Sequence, residues 1–152
     1  NWYEELREPN REQETTEGKY ITGLPSSIAN PREWQIRFLT NGTMSPHDIV
    51  LTTCENLIER VKRVDDLLDT IVNISGEYIL TIEGESHTIG NLFMRTISDM
   101  YPDIPFVVYS TSNFRRVATI RVITSEDVMT IFKAVIKYLV MAFEHIAKAF
   151  SS

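Results

Sequence analysis

The chain has 152 residues, 43% of them apolar, a formal net charge of −6 and one cysteine, Cys54. That length sustains one ordinary core, of two lobes at most, and leaves no room for a third domain. The charge excludes wholesale neutralisation of a phosphate backbone, since non-specific nucleic-acid affinity comes from clustered Lys and Arg, while a lone cysteine excludes an intrachain disulfide framework and a Cys-rich zinc site.

Residues 1–31 are polar and acid-rich, punctuated by Pro9, Gly18, Gly23, Pro25 and Pro31, and read as an arm or linker. The opening NWYEELREPN lacks the charged-then-apolar layout of a secretory signal, and no stretch approaches a membrane span, so a soluble, intracellular chain in a reducing compartment is expected. The sequons at Asn41 and Asn73 are accordingly read as chance. With no initiator Met before Asn1, processing or a longer parent protein is expected.

From residue 32 the pattern changes. Trp34, Ile36 and Phe38 alternate with Gln35 and Arg37, the period of a half-buried strand, which stops at Asn41 and Gly42. Ser45, Pro46 and Asp48 then supply a hydroxyl cap, a proline at the first helical position and a first-turn carboxylate. The helix they start meets no Gly or Pro before about residue 72, and Val50, Cys54, Leu57, Val61, Val64, Leu68 and Ile71 recur along it at spacings of four and three. At about 1.5 Å per residue such a helix is roughly 40 Å long, more than one small lobe needs.

Residues 73–77 read as a connector into a second alternating strand, in which Tyr78, Leu80 and Ile82 face opposite to Ile79 and Thr81. After the run EGESHTIGNLFMR, the residues Ile89, Leu92, Phe93, Ile97 and Met100 mark a short amphipathic helix ending at Tyr101 and Pro102. Strands around 106–109 and 117–123, joined by a polar loop, form a predicted hairpin. Thr124, Ser125, Glu126 and Asp127 cap a last long helix on which Val128, Phe132, Val135, Leu139, Ala142, Ile146 and Ala149 again recur by four and three. Ile131, Ile136, Tyr138, Val140, Phe143 and Phe150 widen that stripe beyond what one sheet covers. Val50, Leu57, Val61, Val64, Leu68, Phe132, Val135, Leu139 and Ile146 are therefore expected to form a seam joining the two long helices and two pseudo-symmetric lobes in one α+β chain. The first lobe, one strand and one helix, cannot bury its own face, so material upstream is expected.

Here the residues carry a resemblance. Glu85-Ser86-His87-Thr88-Ile89-Gly90-Asn91-Leu92 resembles the E-D-H-T-L-G-N-L motif of the small assembly subunits of multisubunit RNA polymerases: the eukaryotic eleventh subunit, the archaeal L subunit and the bacterial alpha amino-terminal domain. Residues 101–109 and 120–122 resemble further parts of that family, so residues 78–152 are similar to an L-type domain. Residues 32–72 look like the closing strand and helix of the third subunit, the archaeal D counterpart, and the combination resembles the fused subunit of large cytoplasmic DNA viruses such as African swine fever virus. The resemblance implies the alpha-type dimerisation fold, an antiparallel sheet packed on long helices. It also implies a non-catalytic scaffold of a DNA-directed RNA polymerase, on which two large catalytic subunits dock beside small ones. Nucleic acid would be met only through the complex, in host cytoplasm and in the virion if viral. Ser86 departs from the family's aspartate, and the third-subunit part lacks everything before its final strand.

Two other readings compete: a freestanding α+β module that homodimerises through its apolar helices, and a small enzyme using His87. Cys54 sits on a helical seam and no acid is identifiable to orient His87, which disfavours catalysis. His87 and Thr88 are instead expected to hold the strand-to-helix turn through local backbone, Asn91 to satisfy a group nearby, and Gly90 to let a neighbouring backbone come close. One Gly without a following Lys makes no phosphate loop. His47, His87 and His145 are scattered, so neither metal nor cofactor is expected. Arg95 matches an arginine that the resemblance implies contacts a large subunit, with Leu92 and Phe93 beside it; a solvated helix face accounts for it equally. Arg115 and Arg116, beside Phe114, are within reach of nucleic acid, though a pair in a hairpin loop is usually solvated. An isolated chain is expected to self-associate through uncovered apolar surface.

Overall fold

In the computed structural model, which describes residues 42–112 and 114–150, helix α1 runs Pro46–Asp65 from the cap its sequence announces. Ser45 Oγ accepts the Asp48 amide at 3.1 Å and donates its own proton to the Asp48 carboxylate at 2.7 Å, so one orphan amide of the first turn is satisfied and the capping hydroxyl is held in place. The expected arm at 1–31 and the strand of Trp34, Ile36 and Phe38 lie outside the described residues.

α1 is shorter than expected. After Asp65 the chain tightens into a 3-10 turn, Leu68–Thr70, whose Thr70 hydroxyl donates to the Leu67 carbonyl at 2.6 Å. Neither Gly nor Pro ends the helix; Asp65, Asp66 and Asp69 crowd negative charge onto its C-terminal end, where the helix dipole disfavours it. A helix of 20 residues spans about 30 Å rather than 40. Leu68 is still buried, delivered by the turn instead of by the helix.

The expected connector proves to be half strand, half turn. Strand β1, Val72–Ile74, pairs antiparallel with β2, Glu77–Glu83, around Ser75 and Gly76, with φ of 55° and 90°. Two successive positive φ values make the turn whose twist matches that of the flanking strands, and Asn73 Oδ1 accepts the Gly76 amide at 3.0 Å. Helix α2 follows at His87–Met100, then β3 at Phe106–Thr111, β4 at Val117–Ile123 and helix α3 at Val128–Ala149. The sheet order is β1-β2-β4-β3, antiparallel throughout. Asp127 caps α3 by accepting the Met129 and Thr130 amides.

Register decides which face is buried. Leu80 opposes Ile120, and Tyr78 opposes Val122, which in turn opposes Val107 on β3; these share the face covered by Ile89, Phe93 and Ile97 of α2 and by Val128, Ile131, Phe132, Val135 and Leu139 of α3. The opposite face carries Ile79 beside Arg121, whose Nε lies 2.7 Å from Glu77. α1 packs along α3, adding Val61 and Val64 to the same core, and His47 at its start stacks near Phe150 at 5.7 Å, so the two helices run antiparallel. Among the described residues the architecture is thus α+β, a four-stranded antiparallel sheet with three α-helices and one 3-10 turn.

Along the expected seam, Val61, Val64, Leu68, Phe132, Val135 and Leu139 are buried, whereas Val50 and Leu57 are half-buried. Ile146 departs from it at 41% exposure. A seven-residue repeat drifts about 20° per repeat on a straight helix, so stepping from Phe132 through Leu139 to Ile146 rotates the side chain roughly 40° off the contact face.

Candidate functional site

The motif sits where β2 turns into α2. Gly84 takes φ of 79°, a left-handed conformation that side chains resist, and donates its amide to the Arg116 carbonyl at 2.7 Å, tying the turn to the start of β4. The next residue, Glu85, is 2% exposed. A buried carboxylate needs a partner, and α1 supplies it: Arg60 Nε donates at 3.0 Å to one oxygen and its Nη2 to the other, while Arg63 Nη2 stands 3.9 Å away. The Arg60 guanidinium pKa is pushed up, chiefly by its hydrogen bond to Glu85 and against the lowering effect of burial. Sequence reasoning gave Glu85 no role. The only sign was two arginines three residues apart on one helix, Arg60 and Arg63, and nothing in their spacing names the acid 25 residues away.

His87 opens α2, but its partners are not the local backbone. Nδ1 lies 3.3 Å from the Tyr109 hydroxyl and Nε2 3.2 Å from the Thr111 hydroxyl, both on β3, and the His87 and Tyr109 rings meet edge to face. The correction has a simple cause. α2 lies on the sheet, so the nearest polar groups to its first residue are tertiary. Ser86 caps by position alone, without a side-chain hydrogen bond, although the Gly90 amide reaches its carbonyl at 3.1 Å. Thr88, expected to hold the turn, and Asn91, expected to satisfy a group nearby, are exposed, and neither side chain has a hydrogen-bond partner among the described residues.

Gly90 is a packing device, with a side chain rather than a backbone as its neighbour. A Cβ built there would meet Tyr109 Cδ2 at 2.5 Å, Cγ at 3.0 Å and Cβ at 3.3 Å. Glycine therefore lets the base of the Tyr109 side chain lie on the helix, and that placement brings the hydroxyl to His87.

Of the expected contact residues, Phe93 is corrected outright. It has no exposed surface and packs on Phe132 with ring centroids 6.1 Å apart. Position 93 falls on the inner stripe with Ile89 and Ile97, whereas Leu92 is half-buried at its border. Arg95 is exposed on the outer face and makes one weak pair, 3.5 Å to Asp99. Cys54 is buried in α1, and burial followed by the Glu55 charge raises its thiol pKa, the opposite of what a nucleophile needs. No group of His, Cys, Asp and Glu that could hold a metal occurs among the described residues, and none of the described helices is long and apolar enough to cross a membrane.

Fold and motif together define a packing module: an α+β domain whose signature residues fasten strand, turn and helix to one another. No family model matches the chain. It is 34% identical to the "DNA-directed RNA polymerase RPB3-11 homolog" of African swine fever virus, strain Badajoz 1971 Vero-adapted, over 81% of this chain and 40% of that protein. The same figures hold for the protein of that name from isolate Tick/South Africa/Pretoriuskop Pr4/1996. For isolate Pig/Kenya/KEN-50/1950 the match, also 34% identical, covers 46% of this chain and 20% of the relative. By sequence, the chain is similar to the viral proteins named RPB3-11 homologs. It spans about two fifths of the length of the curated relatives matched over most of it.

Proposed function

We propose that these residues belong to a non-catalytic assembly subunit of a DNA-directed RNA polymerase, a platform on which the two large catalytic subunits dock, beside small ones, during transcription. One observation carries the reading: similarity to the viral polymerase homologs covers 81% of the chain, more than the L-type stretch 78–152, which makes up only half of it, so the third-subunit-like stretch takes part. On this reading the fold is of the alpha type. α1 closes a third-subunit-like lobe, and its buried contacts with α3 through Val61, Val64, Phe132, Val135 and Leu139 join that lobe to the L-type domain in a pseudo-symmetric pair. The outer side of α2, with Arg95 exposed and Leu92 at its border, meets a large subunit. Nucleic acid is reached through the complex alone, and the setting is the cytoplasm of an infected host and the virion. Without partners the chain self-associates through Tyr138, Met141 and Ile146, which stand 54%, 58% and 41% exposed on α3.

The test is coexpression of the full-length protein with the polymerase's two large subunits, comparing wild type with Arg95→Ala. An arginine anchoring an interface costs about 2 kcal/mol or more when truncated, so capture should fall severalfold with circular dichroism unchanged. Undiminished capture removes Arg95 from the interface. A discrete homodimer that captures neither large subunit, even as wild type, overturns the polymerase reading in favour of a freestanding module.

A further inference from the structure

The β3–β4 hairpin presents Phe114 to solvent at 97% exposure, the most exposed of the large apolar side chains among the described residues. The tip is not slack. The Phe114 amide donates to Ser112 Oγ at 3.3 Å, the Val117 amide to the Arg115 carbonyl at 2.9 Å and the Ser112 amide to the Val117 carbonyl at 3.2 Å. The Arg116 carbonyl receives Gly84, which fixes the tip beside the motif turn. Arg115 and Arg116 flank the phenylalanine, both exposed and without an ion-pair partner among the described residues. Across the Gly84 contact, Arg63 brings Nη2 to 3.9 Å from the place a Cβ on that glycine would take, and its side chain is 55% exposed. Of the acids near this end, Glu83 closes β2 and Glu85 is already held by Arg60. In a chain of net charge −6, Arg60, Arg63, Arg115 and Arg116 gather here.

We infer that this end of the sheet, formed by Phe114, Arg115, Arg116 and Arg63, is a docking site for an acidic, partly apolar segment of a partner protein. Phe114 seats in apolar side chains of that segment and the guanidiniums take its carboxylates. Magnitude decides against nucleic acid as occupant. Even if Arg63 left its ion pair with Glu85 to join Arg115 and Arg116, three guanidiniums would neutralise about three phosphates, a salt slope of about −2 on a single strand, whereas backbone binders make roughly 6–10 such contacts, and the rest of the chain repels a polyanion. A protein interface, by contrast, needs only a few anchors, and aromatic and arginine side chains are the ones that carry most of the energy. Complementary charge would speed the encounter and fix register. The inference is independent of the polymerase reading.

The test measures fluorescence anisotropy of a short labelled peptide rich in Asp, Glu and Leu against the full-length protein at low and high salt. Controls are the same peptide with Lys for each acid and a single-stranded oligothymidylate. Wild type should bind the acidic peptide in preference to both. Arg115→Glu with Arg116→Glu should weaken it about tenfold or more, and Phe114→Ala about fivefold. Lys137→Glu with Lys148→Glu, which changes net charge equally from α3, should leave it within about twofold. All five positions are exposed, so circular dichroism should be unchanged. Absence of peptide binding, equal loss in the α3 pair, or tighter binding of the oligothymidylate that the tip variants abolish each overturns the inference, the last in favour of a nucleic-acid site.

Discussion

Replacing Gly90 by alanine opposes two effects of known size. In the interior of α2, alanine is favoured over glycine by about 1 kcal/mol, so a solvent-exposed glycine there would be a stabilising target. Gly90 is buried, and the new methyl would stand 2.5, 3.0 and 3.3 Å from Cδ2, Cγ and Cβ of Tyr109. Strand β3, whose Tyr109 opposes Ile120, fixes Cβ, and turning the ring about the Cβ–Cγ bond leaves Cγ where it is, so a rotation of the ring alone does not relieve the overlap. Overpacking of this kind costs about 1–3 kcal/mol, and a shifted Tyr109 loses its contact with His87, about 0.5–1.5 kcal/mol more. The net is a loss of roughly 0.5–3.5 kcal/mol. Urea denaturation of wild type, Gly90→Ala, Tyr109→Ala and the double variant closes a double-mutant cycle. In the Tyr109→Ala background the methyl has room, and Gly90→Ala should turn neutral or stabilising. If it stabilises the wild type, or destabilises both backgrounds alike, the glycine does not exist to admit Tyr109.

Arg60→Ala should cost about 1–3 kcal/mol by denaturation, below the roughly 3–5 of a fully buried pair, because Arg60 is 29% exposed and Arg63 stands ready 3.9 Å from the same carboxylate; adding Glu85→Ala should recover part of the loss. Leu139→Ala, truncating a side chain 4% exposed between α1 and the sheet, should cost about 2–5 kcal/mol, and Ile146→Ala, at 41% exposure, about 1 or less; equal values would mean that the helix pairing is misjudged. The Asp127 carboxyl is held below the usual carboxylate range, first by the Thr130 hydroxyl and then by the Met129 and Thr130 amides and the Lys133 charge. Its folded pKa is depressed, so its contribution is complete above the unfolded value near 4 and is lost as pH falls toward the folded one. Asp127→Asn, which cannot ionise, should therefore lower the melting temperature at neutral pH and leave it little changed in acid, flattening the acid limb of a thermal-melting profile.

The local grammar of the chain was readable because it is written in neighbours. Ser45, Pro46 and Asp48 announce α1, and the alternation of Leu80 and Ile82 with Ile79 and Thr81 announces the buried face of β2. What escaped depends on residues far apart. The partners of His87 are Tyr109 and Thr111, and that of Glu85 is Arg60, separations of 22, 24 and 25 positions that no periodicity encodes. Phe93 shows the same limit in reverse. A helix of apolar Leu92 and Phe93 followed by Arg95 offers both an inner and an outer face, and which of the two side chains meets the core depends on where the sheet lies. The end of α1 at Asp65 carries no Gly or Pro to mark it, and Asp65, Asp66 and Asp69 set acids there against the Lys62 and Arg63 that favour the last turn.

The pairing of α1 with α3 also sets a timetable. The first helix ends at Asp65, yet its buried partners on α3 lie at 128–139, and β4, a central strand of the sheet, comes after β2 and β3. At about 5–20 residues per second, a ribosome needs roughly 4–15 s to go from Asp65 to Leu139. Throughout that interval Val61 and Val64 lack their α3 partners on the nascent chain, and the contacts that α3 later makes with them span a long loop, the slow kind to close. A messenger broken before α3 yields a polypeptide whose apolar stripe lacks its α3 cover, which makes such truncated products substrates for chaperones and proteases rather than for assembly.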